Sequence, residues 1–387
     1  TEYYQKATHG EGFVRGFFNV IKAATTGTGS ALQRMFITGV SPVTMDDVTS
    51  GFNIGTNITT DPWFNDLVGF SEAELREMLT YYKEQGVLMQ TVDETIVMMK
   101  PNYDNYCFSE EKLAQCMFNS DMALYFMKSF VLHHVKPKEI VDPNIRTDFN
   151  KLAYLIRLDH GLGENFSVIK EIAEQGEITT DIATHFSALE MTDVRNFKSL
   201  LFYFGLLSIK GVDMVGRPIL HVPNLVVREQ LFSFLIRGYI KHDIFKIDMN
   251  RMTMLFENMA FRGDWKPLFN FIAEAIREQS RIREYIEGEA HIKGFLLAYL
   301  GMYRYYQLYP EYELNKGFAD FLFKPSPSVP VMPPLTYLLE VKYAKAGTLE
   351  KEIRALADEA REQLLRYSQD ELVAEAKAKG GLKLITI

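Results

Sequence analysis

Gly317-Phe-Ala-Asp320, a proline-studded stretch over 325–334, and Leu338-Leu-Glu340-Val-Lys342 decide how the carboxyl-terminal part of this chain folds and what chemistry it can hold. In a strand, side chains alternate between faces, so Glu340 and Lys342 point one way while Leu339 and Val341 point the other. Taken alone, a Glu-x-Lys in a strand reads as a solvated pair worth under about 1 kcal/mol. Asp320 also sits in an apolar run, 313–323, predicted as a strand, and adjacent strands would bring its carboxylate beside that of Glu340. Two carboxylates that close repel unless a cation sits between them, and Mg²⁺ with its waters is the usual hard-ligand solution.

Flanking segments add to this pair. A helix predicted over 282–304 carries an apolar stripe of Ile282, Tyr285, Ile286, Ile292, Leu296, Tyr299 and Tyr303, with Glu289 inside the stripe. A carboxylate on a core-facing stripe needs a partner, unless it snorkels out at the rim. A strand over 335–343 leads to a long helix over 349–378, where Gln363 and Tyr367 lie four apart on one face, and Leu382 to Ile387 reads as a closing strand. Gln363 and Tyr367 either reach the carboxylates or serve only in packing. Pro325, Pro327, Pro330, Pro333 and Pro334 make the intervening linker stiff and non-helical.

The 387 residues, 47% apolar, exceed one ordinary core and predict a multidomain protein. No apolar run is long enough for a membrane span and the first residues do not form a signal peptide, so a cytoplasmic location is expected. Cys107 and Cys116 fit a reducing compartment and exclude a cysteine-built zinc site, a disulfide being the lesser reading. The net charge of −8 offers no global attraction to nucleic acid, so any such contact must be local. His133-His134 is poorly arranged for chelation, and no zinc-protease or serine-hydrolase motif occurs. The tyrosines at 303, 305, 306 and 309 could stack bases, but core packing is the simpler reading.

Toward the amino terminus, residues 11–23 have helical apolar spacing, and Arg34-Met-Phe-Ile-Thr-Gly39 reads as a short buried strand. Ser71-Glu-Ala-Glu74 is a capping box opening a helix to about Gln85, and Thr95 to Met99 reads as another strand. From 110 to 280 the pattern is mostly helical. Within it, a helix over 197–205, extended runs 206–210 and 219–222 around a turn, and a helix over 225–240 resemble a winged-helix unit. Its hairpin lacks the dense Lys/Arg that phosphate contact needs.

The order helix Glu, Gly-x-x-Asp, Glu-x-Lys, then a helix with Gln and Tyr resembles the PD-(D/E)xK nuclease superfamily over roughly 280–387. The resemblance implies a restriction-endonuclease-like α/β domain in which Asp320 and Glu340 ligate Mg²⁺ or Mn²⁺. Lys342 would position the attacking water and neutralise developing charge, Glu289 would assist the metal or its water, and Gln363 and Tyr367 would support them. The proline-rich insertion between the Asp and Glu strands departs from the family pattern.

Phe36-Ile-Thr-Gly-Val-Ser-Pro42, Thr49-Ser-Gly-Phe-Asn-Ile54, Gly69-Phe-Ser-Glu72 and Tyr103-Asp-Asn-Tyr-Cys-Phe108 are similar to segments of the AAA-ATPase-like proteins that carry such a nuclease domain. This likeness implies that the strand ending at Thr38 occupies a γ-phosphate sensor position and that Thr38 and Asn53 contact nucleotide. No G-x-x-x-x-G-K-[ST] and no preceding acidic strand occur, so this chain is not expected to hydrolyse ATP: either an amino-terminal piece precedes Thr1 and hydrolysis belongs to the longer protein, the favoured reading, or the chain is a degenerate member. The resulting expectation is an α/β multidomain chain: the end of a P-loop-type ATPase core over 1–110, a helical and winged-helix-like region over 111–280, and the nuclease-like domain over 281–387. Expected partners are nucleic acid, DNA first, and a second copy of the chain. The alternative is a non-catalytic interaction module built on a nuclease-like scaffold.

Overall fold

A computed structural model describes residues 6, 12–25, 29–39, 55–134, 137, 141, 163–187, 190–242, 247–279, 288–314, 317–326, 329, 331–345, 347–378 and 381–387. Among them, helices α1 (Phe13–Thr25), α2 (Glu72–Glu84), α3 (Val92–Tyr103), α4 (Ser120–His133) and α5 (Glu164–Gln175) precede strand β1 (Glu177–Thr179). Helix α6 (Val194–Tyr203), strands β2 (Ser208–Val212) and β3 (Pro218–His221), and helices α7 (Leu225–Lys241), α8 (Met249–Arg262), α9 (Lys266–Glu278) and α10 (Glu289–Leu300) follow. The chain closes with β4 (Tyr306–Leu314), β5 (Gly317–Pro325), β6 (Thr336–Glu340), α11 (Glu350–Tyr367), α12 (Glu371–Ala378) and β7 (Leu382–Thr386). No described helix is long and apolar enough to cross a membrane.

The chain divides into two compact units. The first comprises residues 1–96, 102–168 and 177–224. The Ser71 hydroxyl accepts from the Glu74 amide at 3.2 Å while Glu74 accepts from the Ser71 amide at 2.8 Å, which fixes the start of α2 as the capping box predicts. Strands β2 and β3 form the expected hairpin, to which β1 adds a third, antiparallel strand through Ile178 opposite Leu220. Two expected strands are not there. Residues 34–39 are coil with Phe36 67% exposed, because no described segment pairs with them, and Thr38 lies in that exposed coil. Thr95 to Met99 belongs to α3, whose first turn is capped by Thr91 and Glu94, so local capping overrides the β-branched run. Among the described residues of 1–110 no β-strand occurs. Asn53 and the 49–54 motif lie outside the described residues.

The second unit comprises residues 97–101, 169–176 and 225–387. Its sheet runs β4-β5-β6-β7, with β6 and β7 parallel and the other neighbours antiparallel. The run 313–323, expected as one strand, is instead the meeting point of two, because the chain reverses between Leu314 and Gly317. The expected helix 349–378 is likewise two, α11 and α12, parted at Ser368–Asp370, where Asp370 Oδ1 accepts from the Leu372 amide. Helix α11 provides the crossover between parallel β6 and β7 and covers one face of the sheet, where Leu322, Leu338, Leu364, Tyr367 and Val373 cluster. On the opposite face the Tyr337 and Tyr306 hydroxyls donate to the carbonyls of Met259 and Ala260 in α8.

Helix α10 buries Phe295 to Leu300 almost completely, and its end crosses α7 at Gly301, where a Cβ would lie 2.1 Å from the Phe232 ring. The helix predicted over 282–304 therefore stops at Leu300, and its portion through residue 287 lies outside the described residues. Tyr303 stacks on Phe256 at 4.4 Å and Tyr306 packs edge-on to Phe323 and Tyr337, so these tyrosines build core.

Candidate active site

The pairing of β5 with β6 brings the two central carboxylates together. Phe321 faces Leu339 and Leu322 faces Leu338, so one step further along the same antiparallel register sets Asp320 opposite Glu340. Alternation puts both on the α11 face with Leu322 and Leu338. Both are buried, 4% exposed each. The Val341 amide donates to Asp320 Oδ2 at 2.7 Å, and the Asp320 amide approaches Glu340 Oε2 at 3.5 Å. The proline-rich insertion therefore leaves the two strands adjacent. The end of β6 is pinned by Ile387, which donates to the Glu340 carbonyl at 3.0 Å and accepts from the Lys342 amide at 2.8 Å.

Burial pushes the Glu340 carboxyl up to about 7, and the neighbouring Asp320 charge adds to the rise; Lys342 works the other way. Lys342 Nζ stands 3.3 Å from Glu340 Oε1 and 3.7 Å from Glu359 on α11. The Glu-x-Lys pair is thus a half-enclosed arrangement beside a second carboxylate.

Glu289, at the first turn of α10, has the partner its position demands: Lys293 one turn on, at 3.0 Å. Lys293 also contacts Glu311 at 3.1 Å and forms an ion pair with Asp320 Oδ1. Burial opposes its charge, but the hydrogen bonds it donates to Asp320, Glu289 and Glu311 hold the ammonium protonated above the ordinary lysine range. Sequence reasoning missed both Lys293 and Glu311. The i,i+4 spacing from Glu289 was a usable signal for Lys293. Glu311 required the hairpin: Pro310 faces Phe321 and Tyr312 faces Ala319, which leaves Glu311 across from Asp320. Glu311 has φ 43°, a left-handed conformation unusual within a strand.

Tyr367 is buried beneath the cluster, and its hydroxyl would lie 3.0 Å from a Cβ at residue 317. With φ 138°, Gly317 meets both demands, a conformation disfavoured for side chains and a close approach to the ring. Gln363, one turn before Tyr367, buries its Oε1 without a hydrogen-bond partner.

Among the described residues no group of three or more His, Cys, Asp or Glu side chains is spaced to hold a metal ion. Mg²⁺ nonetheless asks for only one or two carboxylates, the rest of its shell being water or substrate oxygen. Asp320 and Glu340, adjacent, buried and of hard oxygen type, fit that demand. The mutual charge that lifts Glu340 is what a divalent cation would offset.

Residues 287–387 match the family model of the PD-(D/E)XK nuclease superfamily. The segment runs from just before Glu289 to the end of the chain and takes in the whole four-stranded sheet with α10, α11 and α12. It is a nuclease-superfamily domain, and its mixed sheet with a helical crossover is consistent with a restriction-endonuclease-like fold. No curated protein and no solved structure matched the chain.

Proposed function

We propose that the domain over 287–387 hydrolyses phosphodiester bonds of nucleic acid, DNA being the expected polymer, with Mg²⁺ or Mn²⁺ held by Asp320 and Glu340. The observation that carries this reading is the side-by-side burial of those two carboxylates with Lys342 Nζ 3.3 Å from Glu340. When bound, the ion would supply Lewis-acid stabilisation of the phosphoryl oxygen and a more acidic water. The Asp320 carboxylate is held in place by the Val341 amide, and Lys342 orients a water and neutralises charge that develops on the phosphorus oxygens. Glu289 and Lys293 tune the charge around Asp320, while Tyr367 and Gln363 support the strand ends from α11. Proximity in a half-buried site raises the worth of each of these charges relative to water.

In a longer protein, an AAA-type ATPase segment would gate this activity, with ATP, Thr38 and Asn53 belonging to that segment alone. The sequence likeness over about 10–130 supports this part.

Purified protein with Mg²⁺ or Mn²⁺ is expected to nick DNA, and Asp320→Ala, Glu340→Ala and Lys342→Ala each to abolish nicking. Equal activity in the variants would refute the assignment. One observation favours a second reading, a non-catalytic interaction module: Lys293 already neutralises the carboxylates from within, as a scaffold would. A calorimetric Mn²⁺ titration without heat, together with no metal-dependent change in Tm, would select that reading.

A further inference from the structure

Cys107 and Cys116, the chain's two cysteines, stand opposite one another on antiparallel segments of the first unit. Tyr106 and Met117 exchange both backbone hydrogen bonds, at 3.1 and 2.7 Å. The next residue on each segment, Cys107 and Cys116, is therefore the adjoining non-hydrogen-bonded cross-strand pair. In such pairs the Cα atoms approach to about 4.5 Å, within the roughly 4.4–6.8 Å that a disulfide spans. Neither cysteine is in a disulfide.

The backbone around them is held from several sides. Asn65 Oδ1 accepts from the amides of Phe108 and Ser109 at 3.0 and 3.1 Å, while its Nδ2 donates to the Gln115 carbonyl at 2.9 Å. One side chain thus clamps both segments next to the thiols. Ser208 Oγ accepts from the Cys107 amide at 2.7 Å and ties the same residue to β2. The Cys107 thiol donates to the Ser109 carbonyl at 3.1 Å. These contacts fix the register that sets the two cysteines opposite one another, so little backbone rearrangement stands between dithiol and disulfide.

We propose that Cys107 and Cys116 form a redox-active dithiol that hydrogen peroxide closes to a reversible intramolecular disulfide. The environments of the two differ in the way the reaction needs. Cys107 is fully buried, whereas Cys116 is partly exposed and reachable by a small oxidant. The Cys116 thiolate attacks one peroxide oxygen, the O–O bond breaks, and the departing hydroxide takes up the thiol proton as water, leaving a sulfenic acid on Cys116. The Cys107 thiolate then attacks the Cys116 sulfur. The S–S bond forms as the S–O bond breaks, and the hydroxide leaves with the Cys107 proton as a second water. Both sulfurs are oxidised and the two peroxide oxygens are reduced, so the step balances. In the dithiol a hydrogen bond from Cys116 pulls the Cys107 thiol down to about 7 against the burial that raises it, so the two side chains already interact before oxidation.

The test uses the reduced full chain, treated with stoichiometric hydrogen peroxide, then denatured and alkylated with a maleimide before intact-mass and peptide analysis. Expected are loss of two hydrogens, no maleimide on either cysteine, a linked peptide joining 107 to 116, and return of both thiols with dithiothreitol. Cys116→Ser, at the partly exposed position, is expected to fold and to keep Cys107 alkylatable after the same treatment. Retention of both free thiols, direct passage to sulfinic acid, or a disulfide between two chains would overturn the proposal. None of these readouts depends on nuclease activity.

Discussion

Lys293 Nζ and Asp320 Oδ1 form a direct ion pair between α10 and β5, and the same ammonium reaches Glu289 at 3.0 Å and Glu311 at 3.1 Å. One cation thus serves three carboxylates, of which Asp320 is the most deeply buried. A divalent ion at Asp320 has to share or displace that ammonium. The neutral variant Lys293→Met is accordingly expected to tighten Mn²⁺ binding by about tenfold, the equivalent of about 1.4 kcal/mol. The Tm of the metal-free variant should fall, since three carboxylates lose their common counter-ion. Calorimetric titration of both proteins measures this, and an unchanged Kd would show that the ammonium and the metal do not compete.

Asp320→Asn retains an oxygen for the Val341 amide but removes the charge. Expected are loss of Mn²⁺ heat and a fall in nicking of the order of a hundredfold or more, with the fold intact by circular dichroism. Wild-type metal binding in this variant would place the ligand elsewhere.

Glu340 gives the site its pH dependence. Its ordinary value is 4.5 and burial beside Asp320 raises it to about 7. Between those values the folded state keeps a proton that the unfolded state has released. The residue's contribution to stability is therefore complete below about pH 4.5 and is lost as pH rises through about 7. The Tm of metal-free protein should decline across that window more steeply than that of Glu340→Gln, and saturating Mn²⁺ should flatten the difference. Parallel curves for the two metal-free proteins would remove Glu340 as the cause.

Gly317 joins β4 to β5 with φ 138°, and a Cβ there would meet the Tyr367 hydroxyl at 3.0 Å. Gly317→Ala is expected to cost about 1–3 kcal/mol through backbone strain alone, seen as a lower denaturation midpoint. Combining it with Tyr367→Phe separates the two causes. Relief of the loss would assign it to the hydroxyl contact, and persistence to the backbone.

The capping box at Ser71, the β2–β3 hairpin and the helices on either side of it were legible because each depends on residues close in sequence. The same locality explains two misreadings. Residues 34–39 have the composition of a strand, but strand formation needs a partner, and composition does not supply one. Thr95 to Met99 has β-branched residues, yet Thr91 and Glu94 start a helix just before it. The run 313–323 looked continuous because its apolar residues belong to two strands, one ending at Leu314 and the next starting at Gly317.

From sequence alone came the residue types of the site and their order: a helix carboxylate, Asp320, Glu340 with Lys342, and the Gln363–Tyr367 pair. Strand alternation was enough to put Glu340 and Lys342 on one face. Tertiary structure alone decided that Asp320 lies opposite Glu340, since inter-strand register depends on backbone hydrogen bonds between segments twenty residues apart. It also decided that Glu311 and Lys293 join them. Those two charges become part of the site only when the β4–β5 hairpin and α10 close around Asp320, a consequence of pairing and burial that no local pattern encodes.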